Sequence, residues 1–448
     1  MSSPKSKILS DKKSETAHYR PAFHFSPATG WMNDPNGLVY DGGVYHLFYQ
    51  HYPDNIIWGP MHWGHATSRD LFSWDEQPIA MAPDQLGMIF SGSIVIDRDN
   101  TSRLGRDGMA PWIALFTHHD MAGEKAGRSD YQSQSLAYSL DKGQSWTKYI
   151  GNPVIQNPVL KHFRDPKVSW HGATRRWIMV LAAGDRIIFY SSSNLIDWSK
   201  ESELTCFEVA DDNVLECPDL LTFDFDGREH WVLLVSQFRG APNGGSGTHY
   251  IVGDFDGHHF TRHHEDMRWL DYGPDNYAGV TFHNAPGKPL LIGWMSNWAY
   301  AQAVPTAPWR SAMTLPRELE LVEAEGRVVL RQRVAIDIDS AAVQTIKAEH
   351  VQHHHLLLAN DLGDQLLIGY DSANHHYFVD RRQAGQSEFS IDFPIRATAP
   401  AKGAPGNVII YLDTCSVELF ADGGLTVMTA LAFPRASLNR IELVPNSP

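Results

Sequence analysis

Short apolar runs bounded by glycine, proline, asparagine and aspartate recur along most of this chain, and they constrain its fold more than any other feature. Each run has the usual length of a β-strand, and convincing amphipathic helices are almost absent. The clearest runs are VYHLFYQHY (44–52), SIVID (93–97), WIALFTHH (112–119), RWIMVLAAG (176–184), RIIFYSSS (186–193), HWVLLVSQ (230–237) and PLLIGWMSNW (289–298). The sequence therefore predicts an all-β protein.

A weak internal repeat is superimposed on these runs. Each copy contains a strand end, a polar turn with Asp or Asn, an aromatic residue and a further polar strand. The copies are 66–77, 137–149, 190–202 and 252–263, with Trp74, Trp146, Trp198 and Phe260 as the aromatic residues. Repeats of four-stranded blades at such intervals are typical of β-propellers, although unrelated hairpins with polar turns would give a similar pattern. We favour the propeller.

The character of the sequence changes near residue 335. None of the 14 tryptophans lies beyond Trp309, and runs of alternating apolar and polar residues follow, such as NVIIYLDTCSVELFADG. Alternation of this kind is typical of antiparallel sheets with one buried face, and several such runs predict a β-sandwich. We therefore predict an N-terminal extension (1–19), a propeller (20–335) and a sandwich (336–448).

Charge and composition exclude several classes of protein. The net charge is −15, which argues against nucleic acid as a partner, because that partner needs clustered basic residues. The cysteines are Cys206, Cys217 and Cys415, an odd number without a CxxC pair, so we expect neither a disulfide framework nor a cysteine zinc site. The polar N-terminus lacks an apolar signal segment, and no apolar run of membrane-spanning length follows it. We expect a cytoplasmic protein without a membrane partner, or a secreted one if a leader has been removed. The sequence does not decide between a monomer and a homo-oligomer.

Histidines are abundant, but their arrangement does not favour a metal site. Many of the 23 occur as adjacent pairs, namely His118-His119, His258-His259, His263-His264 and His375-His376. Neighbouring residues on a strand point to opposite faces, so such pairs cannot ligate one ion together. Only His353 and His355 could share a face. We therefore predict no metal and no cofactor.

Three acidic residues lie beside or close to proline in sequences that resemble turns. Asp34 is in WMNDPNG, Asp165 is in FRDPKV beside Arg164, and Glu216 is in LECPD. Asp-Pro is a common turn former, and most such carboxylates taken singly have no chemical role. Together, however, they are predicted to lie in turns of three successive blades, which a closed propeller would bring to one funnel. We expect the Arg164 guanidinium to keep Asp165 ionised.

Several carboxylates in one funnel suit the hydrolysis of a glycosidic bond. A retaining glycosidase uses a nucleophile and an acid/base about 5–5.5 Å apart, and its transition state resembles an oxocarbenium ion. Burial and like-charged neighbours keep the acid protonated. The alternative is a carbohydrate-binding propeller without catalysis, which would also explain the 11% of aromatic residues.

The three acidic motifs, in this order, resemble the signatures of glycoside hydrolase family 32, the β-fructosidases. Further similarities are LFYQHYP, IWGPMHWGH, DYGPDNYAG and GWMSNWAYAQAVPTAPWRSAMTLPREL, and the resemblance spans roughly residues 20 to 440. It implies a five-bladed β-propeller followed by a β-sandwich. It also implies a retaining exo-acting β-fructofuranosidase that takes terminal fructose from inulin, levan and sucrose. A sucrose-preferring invertase and a transfructosylating enzyme are the alternatives on the same scaffold.

The resemblance also implies roles for individual residues. Asp34 would be the nucleophile, Glu216 the general acid/base and Asp165 the stabiliser of the transition state. The residues expected to line the pocket for the terminal fructosyl unit are Asn33, Gln50, Trp58, Phe90, Ser91, Arg164, and Trp294 or Trp298. We expect the last two on the same side of one strand.

The sequence departs from the family pattern after Tyr277, and Glu318 is a further acidic residue with a separate prediction. Many relatives read YAxQ where this chain has Tyr277-Ala278-Gly279-Val280, so no glutamine is assigned a role there. Glu318 is expected to tie the propeller to the sandwich together with Arg317. The assigned roles predict a bell-shaped pH profile, with its alkaline limb set by Glu216 and its acid limb by Asp34.

Overall fold

In the structure, a computed structural model, nearly all of the regular secondary structure is β-strand, and the described residues form seven sheets. It describes residues 17–205, 213–336, 344–348, 354–402 and 407–445. Cys206 and His353 lie outside these ranges. The described helices are all short, namely one α-helix, α1 (Met121–Lys125), and two 3-10 helices, Ala17–Tyr19 and Asp422–Gly424.

The first three sheets each contain four antiparallel strands that are consecutive in the chain. The strands of the first sheet are β1 (Gly30–Asp41), β2 (Val44–Tyr52), β3 (His62–Ser68) and β4 (Asp75–Met81). Those of the second are β5 (Met88–Ile96), β6 (Trp112–His119), β7 (Gln132–Ser139) and β8 (Thr147–Lys148). Those of the third are β9 (Phe163–His171), β10 (Arg176–Ala183), β11 (Arg186–Ser192) and β12 (Ser199–Thr205).

The fourth and fifth sheets follow the same plan with short additional strands. The strands of the fourth are β13 (Leu215–Phe225), β14 (Arg228–Gln237), β15 (Gly247–Phe255), β16 (Phe260–Arg262) and β17 (Arg268–Trp269). The remaining strands of this region are β18 (Tyr277–Thr281), β19 (Leu290–Met295), β20 (Trp309–Arg310), β21 (Ala312–Met313), β22 (Arg317–Ala324) and β23 (Arg327–Val334). β20 pairs with β1, so the end of this region returns to its first sheet.

The first strands of the five sheets form a closed ring. β1 contacts β5, β5 contacts β9, β9 contacts β13, β13 contacts β18, and β18 contacts β1. The predicted five-bladed β-propeller is therefore confirmed. Each of the four repeat segments found in the sequence joins the third and fourth strands of one of the first four sheets, which explains their common pattern.

The last two sheets pack face to face as the predicted β-sandwich. One sheet contains β24 (Gln344–Ala348), β29 (Val408–Leu412), β30 (Ser416–Ala421) and β31 (Thr426–Leu431). The other contains β25 (His354–Ala359), β26 (Gln365–Asp371), β27 (His376–Gln383), β28 (Arg396–Pro400) and β32 (Arg440–Pro445). Alternate residues of both sheets, including Leu358, Val379, Ile410 and Leu419, form one apolar core.

The two predicted boundaries of the propeller domain, at residues 19 and 335, can be compared with the observed strands and contacts. β23 ends at Val334 and β24 begins at Gln344, so the boundary placed at residue 335 lies between them and stays a prediction. At the other end, Tyr19 is fully buried and donates a hydrogen bond of 3.1 Å to the carbonyl of Phe433. Part of the predicted N-terminal extension therefore packs on the sandwich.

A loop of the propeller adds its backbone to the edge of the sandwich. Tyr272 N–H donates to Val427 O at 2.8 Å, and Asp275 N–H donates to Thr429 O at 3.1 Å. Between them, a Cβ on Gly273 would lie 2.0 Å from Thr429 O, a distance that no side chain can occupy. Glycine is therefore required where the loop meets β31.

Buried ion pairs cross the same interface. The fully buried Arg317 donates to Asp271 of the propeller at 2.9 Å and to Glu418 of the sandwich at 2.5 Å. The expectation for Glu318 is wrong: of these two neighbouring residues, it is Arg317 that makes ion pairs across the interface. The two side chains point to opposite faces of β22, and Glu318 is only partly buried.

The N-terminal segment is fixed to the sandwich by a buried histidine. His24 Nδ1 lies 2.8 Å from Asp413, and its Nε2 lies 2.9 Å from Glu418. Burial alone would lower the pKa of His24, but the hydrogen bonds to these two carboxylates raise it to about 9. The imidazole is therefore a cation at neutral pH.

We expect His24→Leu to lower the free energy of unfolding by about 3–5 kcal/mol at pH 6, because Asp413 loses its cation in a buried site. The pKa of His24 is raised above its unfolded value, so its stabilisation is complete below that value, about 6.5, and is lost as the pH rises through about 9. The difference between variant and wild type should therefore shrink between pH 6 and pH 10, as denaturant titrations at each pH would show. A difference that stayed constant would mean that His24 acts through packing alone.

Candidate active site

The three acidic residues singled out in the sequence lie on the innermost strands of the propeller. Asp34 is on β1, Asp165 on β9 and Glu216 on β13. Two predictions are thereby corrected. The residues are within strands and not in turns, and their blades are not successive, since the second sheet lies between the first and the third.

Proline explains why strand residues resembled turns in the sequence. Strand pairing is interrupted beside each carboxylate, between Met32 and Pro35 on β1 and between Glu216 and Asp219 on β13, with a similar shift opposite Asp165 on β9. Proline cannot donate to a ladder, so it favours such a bulge, and a bulge redirects the neighbouring side chains.

The backbone at the site also adopts a conformation that side-chain-bearing residues rarely take. Asp165 has a φ of 64°, and Cys217 has a φ of 46°. Non-glycine residues in this left-handed region are uncommon and cluster where a structure fixes functional groups. No residue pattern near Asp165 or Cys217 predicts this backbone geometry.

Asp34 is buried and held by several donors. Ser91 Oγ donates to its Oδ2 at 2.6 Å, and Asn33 Nδ2 donates to its Oδ1 at 3.1 Å. Trp31 Nε1 in turn donates to Asn33 Oδ1 at 2.7 Å, which fixes the orientation of the amide. Burial raises the pKa of Asp34, and these hydrogen bonds oppose the increase.

Cys217 joins two of the three carboxylates. Its Sγ lies 3.5 Å from Asp34 Oδ2 and 3.6 Å from Asp165 Oδ2, and its backbone N–H donates to the same Asp165 oxygen at 2.9 Å. Burial raises the pKa of the thiol, so it stays protonated and can donate to one carboxylate at a time. Asp34 and Asp165 therefore both contact one sulfur atom.

Glu216 is held by an arginine and a tyrosine from other blades. Arg164 Nη1 donates to its Oε1 at 2.9 Å, and the hydroxyl of Tyr277 donates to its Oε2. The Glu216 side chain keeps 13% of its surface exposed, so it is accessible from solvent. Burial raises the pKa of Glu216, and Arg164 lowers it in part.

The predicted partner of Arg164 is wrong. Its guanidinium pairs with Glu216 and not with the adjacent Asp165, because neighbouring strand residues project in different directions. Burial and the charges of Glu216 and Asp34 raise the pKa of Asp165 to about 7, although Arg164 opposes them. Asp165 is therefore not the firmly ionised group that the sequence suggested.

The predicted pocket residues divide into fixed polar groups and partly exposed aromatic rings. Asn33, Gln50 and Ser91 are buried, and Gln50 Nε2 donates to Asn36 Oδ1 at 2.8 Å and to Ile89 O at 3.0 Å. Trp58 and Phe90 are partly exposed, with ring centroids 6.1 Å apart in an edge-to-face arrangement. These residues thus include both the polar groups and the apolar rings that a ligand pocket combines, and their role in binding stays a prediction.

The structure separates the two candidate tryptophans. Trp294 is fully buried on β19, whereas Trp298 is partly exposed and lies beyond the end of that strand. The expectation that both lie on one side of a strand is wrong, because β19 ends at Met295. Their rings contact each other, with centroids 4.9 Å apart. Of the two, only Trp298 has surface to offer a ligand.

Three residues that contact the acidic residues of the site were not predicted from the sequence. Cys217 and Tyr277 lie in motifs that were quoted, LECPD and DYGPDNYAG, so their positions carried a signal. Thr117, whose hydroxyl accepts the Asp165 N–H at 3.0 Å, lies inside an uninterrupted strand run and carried none.

One group of side chains within the described residues could hold a metal ion, namely His230, Asp254 and His263 on the fourth sheet. Arg228 donates to both oxygens of Asp254, and His263 Nε2 lies 2.8 Å from that carboxylate. The group is therefore already an ion-pair cluster, and the absence of a metal stays a prediction. Among the described residues, no helix has the length and apolar character needed to cross a membrane.

Comparison with known proteins extends over nearly the whole chain. Residues 24–332 match the N-terminal domain of the glycosyl hydrolases of family 32, and residues 319–447 match the C-terminal domain of that family. The levanase of Bacillus subtilis is 42% identical over 95% of this chain and 68% of its own length. The extracellular exo-inulinase of Aspergillus niger is 37% identical over 93% of this chain and 90% of its own.

Solved structures agree with the sequence matches. The exo-inulinase of Aspergillus awamori has a TM-score of 0.86 and 34% identity, with 96% of each chain covered. The fructofuranosidase of Schwanniomyces occidentalis complexed with fructose also has a TM-score of 0.86, with 31% identity over 97% of this chain and 96% of that one. Some relatives are named extracellular, so the expectation of a cytoplasmic protein gains no support. The chain belongs to glycosyl hydrolase family 32.

Proposed function

We propose that this protein is a retaining exo-acting β-fructofuranosidase that releases terminal fructose from fructans and from sucrose. The observation that carries the proposal is that Asp34 and Asp165 both contact Cys217 Sγ, while Glu216, the residue directly before this cysteine, is paired with the guanidinium of Arg164. The names of the relatives, levanase and exo-inulinase, support fructans as the substrate class. The partner is therefore a small or polymeric fructoside.

Asp34 is proposed as the nucleophile. Its hydrogen bonds from Ser91 and Asn33 fix both carboxylate oxygens and favour the ionised form against the effect of burial. Attack on the anomeric carbon would form a covalent fructosyl-enzyme and release the rest of the substrate. Water would then hydrolyse this intermediate, so that the configuration is retained.

Glu216 is proposed as the general acid/base. It would give its proton to the oxygen of the leaving sugar and then take one from the attacking water. Arg164 and Tyr277 grip one carboxylate oxygen each, so the side chain is held in one orientation. Positioning of this kind keeps the acid within reach of the departing oxygen throughout the reaction.

Asp165 is proposed to stabilise the transition state by binding fructose hydroxyls. It lies close enough to Glu216 and Asp34 for their charges to raise its pKa. Carboxylates that interact this strongly titrate as a group, so the site retains a proton into the neutral range. That proton is available to the leaving group.

The activity itself is tested by incubating the protein separately with inulin, levan and sucrose and measuring the released fructose. We expect fructose as the main product from all three, with both fructans shortened one unit at a time. Turnover of sucrose alone would identify an invertase. Fructo-oligosaccharides as the dominant product at high sucrose would identify a transfructosylating enzyme.

We expect Asp34→Ala to abolish formation of the fructosyl-enzyme, since it removes the nucleophile. Glu216→Ala should lower kcat on sucrose by about 10²–10⁴-fold, the usual contribution of a general acid/base. The exposed Glu203→Ala on β12 is the matched control and should retain wild-type turnover. More than a few per cent of activity in pure Asp34→Ala would exclude Asp34 as the nucleophile.

Activity should fall on the alkaline side with an apparent pKa near 7, because the raised pKa values of Asp165 and Glu216 keep a proton in the site below that pH. As the pH rises further, the proton is lost and the leaving group is no longer protonated. The pH dependence of kcat/KM for sucrose measures this limb. The same measurement is made on Glu216→Gln with a fructoside whose leaving group needs protonation. If the alkaline limb persists unchanged in this variant, the proton belongs to another group.

A further inference from the structure

A histidine directly before the FRDPKV motif contacts the arginine of the site. His162 directly precedes β9, is partly buried, and has a left-handed φ of 54°. Its Nδ1 faces Arg164 Nη2 at hydrogen-bonding distance. Arginine can only donate, so Nδ1 of His162 must accept. The imidazole is therefore neutral, with its proton on Nε2.

The contact matters because Arg164 is otherwise sparsely held. Within the described part of the chain, its hydrogen bonds are one from Nη1 to Glu216 and one from Nη2 to His162. The buried Nε has no hydrogen-bond partner among the described residues. The orientation of the guanidinium therefore depends on a carboxylate at one end and an imidazole at the other.

His162 is suited to accept at every pH at which the enzyme would work. Burial lowers its pKa, and the neighbouring charges of Arg164 and Lys161 lower it further, to about 4. The imidazole thus remains neutral, and its contact with Arg164 persists through the neutral range.

We propose that His162 is a positioning residue that holds the Arg164 guanidinium on the Glu216 carboxylate, and that it thereby acts on departure of the leaving group. The inference rests on the proposed role of Glu216 as the acid/base. Without His162, Arg164 would be free to turn on its long side chain and would pair with Glu216 for a smaller fraction of the time.

Other titratable groups face the contacts between Glu216, Arg164 and His162. Those near Glu216, Arg164 and His162 are Asp34, Asp165, Tyr131, Tyr277, Cys217, Lys161 and His119. Burial raises the pKa values of the tyrosines and of the thiol, and it lowers that of His119 to about 4. The groups left to titrate near neutral pH are therefore the carboxylates.

The test uses His162→Leu, which removes the acceptor, and His162→Asn, whose Oδ1 occupies about the place of Nδ1. Asparagine also tolerates the left-handed backbone of this position. Lys161→Ala is the matched control, because Lys161 is exposed and adjacent but lies outside the chain of contacts. The substrates are sucrose, whose leaving group needs a proton, and β-fructofuranosyl fluoride, whose leaving group needs little help.

His162→Leu should lower kcat/KM for sucrose about tenfold, a part of the contribution of a general acid. Its turnover of the fluoride should change less than twofold. The alkaline limb for sucrose should move to higher pH, because a less firmly held Arg164 lowers the pKa of Glu216 less. His162→Asn should restore sucrose turnover to within about threefold of wild type, and Lys161→Ala should match wild type.

Three results would overturn the inference: equal losses on both substrates, an alkaline limb that does not move, or an asparagine variant no better than the leucine variant. Equal losses would assign His162 a purely structural role. Failure of the proposed function is recognised separately, since wild-type protein would then release no fructose from sucrose or would be insensitive to Glu216→Ala.

Discussion

Closure of five sheets into a ring is the constraint on which the rest of the molecule depends. It places the first strand of every sheet beside the central axis, whatever the separation of those strands in sequence. Asp34, Asp165 and Glu216 thus meet although they belong to different blades. The backbone pairing is interrupted at the neighbouring prolines, and these bulges redirect the three side chains towards one another.

Buried charge is treated in opposite ways at the site and at the interface between propeller and sandwich. At the interface, the cations Arg317, Arg381 and His24 lie against carboxylates at hydrogen-bonding distances, and these contacts join parts of the chain that are distant in sequence. The site, in contrast, has three carboxylates and a single guanidinium, which pairs with Glu216. The surplus of negative charge is costly to bury and raises the pKa values of Asp165 and Glu216, so the proposed mechanism can draw on a proton kept at the site.

The sequence was sufficient for the architecture and for the identities of the carboxylates, but not for their contacts. Strand runs such as 44–52 and 112–119 coincide with β2 and β6, because alternation and turn residues are local signals. The partner of Arg164 and the exposure of Trp298 are not local. They depend on a bulge and on where β19 ends, which are decided by packing between blades. Asp-Pro was misinterpreted as a turn because the same dipeptide also produces a bulge within a strand.

The loop that carries Gly273 has a consequence for how these two domains can be exchanged between relatives. The segment is bonded to the backbone of β31 at one end, and only a few residues later it provides Tyr277, which grips Glu216. A chimera joined between β23 and β24 would therefore combine two domains that contact each other at this loop, away from the junction. The natural unit of recombination is the propeller together with the β31 edge, and a foreign sandwich would have to reproduce the path of that single strand.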